Sequence, residues 1–283
     1  MNVEDAMTPR DDVVTVEIPG TRDDALEYLQ DKAFSSVPAV KATDDGEVYR
    51  GLISRSALIE RPDEDQLALL AEDVKETSTD ASLTEVAKLM LEESERRVPV
   101  VNGETLEGII TVTDVVHAIA RGQVDTDVET GTVAGREVNC VYTQTPLTVA
   151  ERELFFADVP YAVVLDDEAE PAGMLTEVDI LDVARVVEGE EETGDSIANQ
   201  DSEWAWEGIK AVGSRYLPTR NVEIPNGPVE AFMTEDLVTV SKKRPVKEVA
   251  QLMIEHDIEQ IPMMSGDQLV GIVQDIHLLE ALQ

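Results

Sequence analysis

Across 283 residues the chain carries 60 Asp plus Glu against 22 Lys plus Arg, a formal charge of −38, with 42% hydrophobic residues. That apolar share supports packed cores, which excludes a disordered polyanion, and the length fits two domains better than one. The same charge excludes binding of nucleic acid or of an anionic membrane by the bulk surface, because both need clusters of Lys and Arg.

The acids are spread through every segment, which points to a solvated coat suited to a high-salt cytoplasm. Near 1 M salt the Debye length is about 3 Å, so self-repulsion of such a coat is small there. An acidic mesophilic protein is the alternative. Cys140 is the single cysteine, so neither an intrachain disulfide nor a thiolate metal site is expected. The start, MNVEDAMTPR, has no apolar signal region, and no apolar run approaches the roughly 18 residues of a membrane span, so a cytoplasmic protein with no membrane partner is expected.

In chain order, the first recurring feature is SSVPAV at 35–40, followed by a polar turn and the strand GLIS at Gly51. A helix-period segment at 82–95, with Leu83, Val86, Leu89 and Met90 apolar, then leads into RRVPVV at 96–101 and the strand GIIT at Gly108. The third copy has ADVPYAVV at 157–164 and GMLT at Gly173. The fourth has a helix over 245–259, with Val246, Val249, Leu252 and Met253 apolar, then EQIPMM at 259–264 and GIVQ at Gly271.

The prolines Pro38, Pro99, Pro160 and Pro262 mark four copies of one unit, strand, helix, strand, turn, strand, helix. The expected divisions are repeat 1 over 1–60, repeat 2 over 61–122, repeat 3 over 130–187 and repeat 4 over 229–283, with an insertion at 188–228. A unit of about 60 residues buries too little surface alone, so neighbours are expected to pair. Within the insertion, 188–203 holds seven acids and no base and reads as an exposed loop. Residues 204–221 hold Trp204 and Trp206 with the bases Lys210, Arg215 and Arg220, a reversal of the chain's charge balance.

The chemistry sits where the last strand of a unit feeds its last helix: Gly108 to Asp114 in repeat 2 and Gly173 to Asp179 in repeat 3. A hydroxyl at a helix start beside free N–H groups suits a phosphate oxygen, and an ionised carboxylate nearby can accept two bonds from a vicinal diol. The plain alternative is a capping box, Thr111 with Asp114 and Thr176 with Asp179. The matched glycines favour the binding reading if a ligand approaches there, and a β-bulge if not.

These motifs resemble CBS domains, and the pairs resemble Bateman modules, over nearly the whole chain outside the insertion. The four-unit layout is similar to that of the gamma regulatory subunit of AMP-activated protein kinase and of stand-alone archaeal CBS proteins. The resemblance implies an α+β fold and a regulatory protein that binds AMP, ADP or ATP and acts on a partner protein. It matches the family's ribose-binding Asp to Asp114 and Asp179, its phosphate-side hydroxyl to Thr111 and Thr176, and a polar contact to Thr113. A phosphate-contacting Arg matches Arg97, beside Arg96; Asp158 is taken as its counterpart in repeat 3. The adenine cradle is implied at Phe34, Ser35, Pro38 and the Met7-Thr8 region for the first site, and at Thr234, Val238, Ile258 and Pro262 for the second. Lys210, Arg215 and Arg220 are candidate phosphate-side bases for that second site.

Repeat 1 has Ser54 but Ala57 in place of the acid, and repeat 4 has Gln274 and His277, so at most two good sites are expected. For Arg96 and Arg97 the plain alternative is a solvated pairing with Glu92 and Glu93. His117, His256 and His277 lack metal-ligand spacing, and no nucleophile-base arrangement or Walker loop is legible, so neither an enzyme nor a required cofactor is expected. A ligand-free scaffold and a sensor of S-adenosylmethionine are the competing functions, in a monomer or homodimer.

Overall fold

In the computed structural model, which describes residues 1–31, 36–44, 46–54, 57–58, 61, 64–187 and 221–283, three helices follow one plan. Leu83–Glu93, Leu147–Ala157 and Val246–His256 are each preceded by an extended residue, Ser82, Pro146 or Pro245, that starts the helix. Ser82 does so as a full capping box with Glu85. Each ends on a left-handed residue, Ser94, Asp158 or Asp257, which turns the chain sharply back toward the sheet. The buried positions also match: Leu83, Val86, Ala87 and Met90 in repeat 2, and Val246, Val249, Ala250 and Met253 in repeat 4. In repeat 3 they are Leu147, Ala150, Glu151 and Leu154, so a carboxylate occupies the place of a buried alanine.

The fold class is α+β, with four three-stranded sheets as the four repeats predict. In repeats 1, 3 and 4 a short strand runs parallel to the first strand of a hairpin: Val16–Glu17, Cys140–Tyr142 and Val240–Ser241. Repeat 2 reduces that element to a parallel bridge between Thr77 and Val100, and its third strand, Thr8–Pro9, adds to the other edge. Every hairpin carries a register shift near its glycine, the bulge reading of those positions.

The segment leading into each repeat lies on the hairpin of the other member of its pair. Thr8 pairs with Ile109 of repeat 2, while Glu72 bridges Leu52 of repeat 1. Gly135, leading into repeat 3, bridges Ile272 of repeat 4, and Thr234, leading into repeat 4, bridges Met174 of repeat 3. This exchange explains the four matched glycines. A Cβ at Gly108, Gly51, Gly173 or Gly271 would lie 2.4, 2.6, 2.8 or 2.5 Å from the carbonyl oxygen of Thr8, Glu72, Thr234 or Gly135. The close approach expected of a ligand is made instead by the chain's own leader segments, so the glycines serve the pairing.

Contacts divide the chain into two compact units, Met1–Glu137 with Val238–Gln283, and Val138–Leu237. In the first, Val40, Tyr49, Val101 and Leu106 join repeats 1 and 2, helped by a 2.7 Å bond from the Tyr49 N–H to the Glu104 carbonyl. Its main core joins the helices of repeats 2 and 4, with Val115, Ile119, Val246, Val249 and Met253. The second unit has its own core, including Leu147, Leu154, Leu175 and Ile180 under Val229. In that unit 185–187 pair antiparallel with 221–223. The acidic loop 188–203, Trp204, Trp206, Lys210, Arg215 and Arg220 lie outside the described residues, as do Phe34 and Ser35.

Candidate functional site

The hairpins of repeats 2, 3 and 4 end on the residue that precedes a helix, that of repeat 1 ends on Ser54, whose Oγ accepts from the Ala57 N–H, and the four corners differ in what completes them. In repeat 2, Thr111 caps Val112–Arg121: its N–H and Oγ1 donate to Asp114 Oδ2 at 2.8 and 2.7 Å, and its Oγ1 accepts from the Asp114 N–H at 3.3 Å. In repeat 3, Thr176 donates to Asp179 Oδ2 from its N–H and its Oγ1, both at 2.7 Å. The expected capping boxes are therefore present. Both bonds in each box fall on Oδ2, which leaves Oδ1 outside the box, so a cap and a diol contact are compatible on one carboxylate.

The exchanged leader supplies the rest of each corner. Thr234 reaches Asp179, donating from Oγ1 to Oδ1 at 3.4 Å, so Thr176, Asp179 and Thr234 stand together. Thr8 occupies the matching place over Gly108, with the Met7 sulfur also beside that glycine. Arg97 is the residue paired with Thr111 across the hairpin. Burial pushes the Asp114 carboxyl above its ordinary value, against the two Thr111 bonds and the fields of His117 and Arg97. A half-buried carboxylate, a hydroxyl and a helix N-terminus thus meet at one corner, within the field of the Arg97 charge. Thr113 is exposed on the first turn, and Pro38 is buried in its strand opposite Leu52.

Register corrects one expected correspondence. The residue opposite Thr176 is Tyr161, whereas Asp158 is the left-handed cap of Leu147–Ala157. The chain runs five residues from cap to proline in repeats 2 and 4 (Ser94 to Pro99, Asp257 to Pro262) but two in repeat 3, so counting back from Pro160 lands in the cap. Ser36 and Gln260 hold the matching place in repeats 1 and 4, opposite Ser54 and Gln274.

Arg96 does not pair with Glu92 or Glu93. Its guanidinium grips Asp275 of repeat 4 through two bonds, 3.0 Å to Oδ1 and 2.6 Å to Oδ2, with Glu259 at 3.4 Å. Asp275 is a buried acid, and nothing in the spacing of a residue 179 positions away signals this partner. Val238, Ile258 and Pro262 belong to the first unit: Val238 and Ile258 pack on its core, and Pro262 pairs with Ile272. Thr176, Asp179 and Thr234 belong to the second. The repeat 4 corner is completed by His277, whose Nδ1 accepts from the Gln274 N–H at 3.1 Å.

Among the described residues no cluster suits a metal ion, and no helix is long and apolar enough to cross a membrane.

Residues 3–64, 69–121 and 229–283 match the CBS domain family. Protein MJ1404 of Methanocaldococcus jannaschii is 25% identical over 279 residues, 98% of this chain and 61% of that protein, so the chain spans about three fifths of that relative. Human chloride channel protein ClC-Ka is 35% identical over 74 residues, 24% of this chain and 11% of the channel. A conserved protein of Pyrococcus horikoshii superposes with a TM-score of 0.70 at 27% identity, covering 100% of both chains. Protein MJ1225 of M. jannaschii, described as a candidate archaeal homologue of g-AMPK, does so with a TM-score of 0.65 at 17% identity, again over 100% of both, a likeness of fold. With more than half of its residues matched, and a third sheet built on the plan of the three matched repeats, the chain belongs to the CBS-domain family.

Proposed function

We propose that the chain is a non-enzymatic, cytoplasmic sensor of adenine nucleotides, AMP, ADP or ATP, which passes their binding to a partner protein. The observation that carries this reading is the repeat 2 corner, where Arg97 stands across the hairpin from Thr111 and the Asp114 box uses only Oδ2. Asp114 Oδ1 takes the ribose diol, Thr111 and Thr113 with the helix N-terminus take phosphate oxygens, and Arg97 supplies the counter-charge. Pro38, Phe34, Ser35 and Thr8 would form the adenine side. The repeat 3 corner has the ribose acid but Tyr161 opposite its cap, which favours an uncharged adenosyl group there.

Titration calorimetry in molar KCl tests this. AMP should bind, Asp114→Ala should abolish its binding, and 2′-deoxy-AMP should bind on the order of 1–3 kcal/mol more weakly, roughly five- to 150-fold, because one charge-assisted bond is lost. Arg97→Ala should weaken AMP and ATP more than adenosine. Equal affinity for AMP and its 2′-deoxy form would remove Asp114 from the ribose and favour the scaffold reading, in which the self-satisfied boxes are only caps. A panel including S-adenosylmethionine separates the ligand classes.

A further inference from the structure

The corner of repeat 1 is completed by a residue from outside the repeat. Glu72 lies where Thr8 and Thr234 lie in the other corners, its carbonyl over Gly51 as theirs are over Gly108 and Gly173. Ala57 stands where the box acid stands elsewhere, and its N–H donates to Ser54 Oγ at 3.0 Å. The bond a box acid would accept is accepted by Glu72 instead: Ser54 Oγ donates to Glu72 Oε2 at 2.9 Å, against 2.7 Å from Thr111 Oγ1 to Asp114. Arg61 holds the other carboxylate oxygen at 3.3 Å while donating to the Leu69 carbonyl at 2.6 Å.

The surroundings are also mainly acidic, three acids against Lys75. A cavity of about 200 Å³ close by is lined by Asp73, Val74, Lys75, Glu93 and Glu95. Burial, with the fields of Glu72 and Glu93, raises the Glu95 carboxyl above its usual range. Opposite the cap stands Ser36, not an arginine.

We infer that Glu72 is an internal ligand that closes the repeat 1 corner, so the pair of repeats 1 and 2 is built to take one nucleotide and to reject a second. The binding arm of the test rests on the nucleotide reading of the repeat 2 corner; a second arm stands apart from it. In an Asp179→Ala background, which silences the repeat 3 corner, the full chain in molar KCl should bind one equivalent of adenosine. Adding Glu72→Thr with Ala57→Asp should raise this to two. Two equivalents with Glu72 intact, or one after both substitutions, would overturn the inference.

If the parent binds no adenosine, the nucleotide reading fails and a double-mutant cycle decides. Ser54→Ala, Glu72→Ala and the double variant are melted in the same buffer. Closure requires a Tm loss in the double variant smaller than the sum of the single losses. Additive losses mean that Glu72 does not hold Ser54, and the inference falls.

Discussion

Glu151 is a carboxylate in the place of an alanine, and its replacement by glutamine measures what that costs. In the helices of repeats 2 and 4 the matching residues, Ala87 and Ala250, are fully buried; Glu151 is 3% exposed, and its Oε1 has no hydrogen-bond partner among the described residues. Burial raises its carboxyl to about 7 from an ordinary 4.5, and the Arg152 guanidinium, 3.8 Å from Oε2, offsets only part of this. The folded state therefore holds the proton more tightly than the unfolded chain. Stability is greatest where both states are protonated and falls as pH rises from about 4.5 through about 7. The difference of roughly 2.5 units at about 1.4 kcal/mol each puts the penalty at about 3–4 kcal/mol above pH 7. Glu151→Gln should remove it. Denaturant unfolding in molar KCl should show the variant more stable than the parent by about that amount at pH 8, with the gap closing toward pH 4.5. A variant less stable at pH 8 than the parent, or a gap independent of pH, would mean that the carboxylate is paired and that its burial is not the cause.

Two further outcomes follow from the charge distribution. Arg96→Ala should cost about 1–3 kcal/mol, because it leaves the buried Asp275 carboxylate without its two-bond partner; melts of Arg96→Ala, Asp275→Asn and the double variant should show strong coupling. The melting temperature should climb steeply from dilute buffer to multimolar KCl, since the −38 charge is screened only at high salt, and an unchanged Tm would end the high-salt reading.

What could be read along the chain was what is local. The heptad-scale spacing of Leu83, Val86 and Met90, and the i to i+3 boxes of Thr111 with Asp114 and Thr176 with Asp179, depend on neighbours within one or two turns, so residue order alone determines them. The repetition of the proline and glycine punctuation showed four copies for the same reason. Leu89 and Leu252, apolar by period, prove only partly buried, while Ala87 and Ala250 are fully buried in the core. Glu72 over Ser54, Arg96 on Asp275 and Tyr161 opposite Thr176 were decided only by the tertiary structure. Each joins residues whose separation in sequence carries no period. The exchange of leader segments brings an acid to one corner and threonines to two others, and register rather than residue order sets which side chain faces a cap.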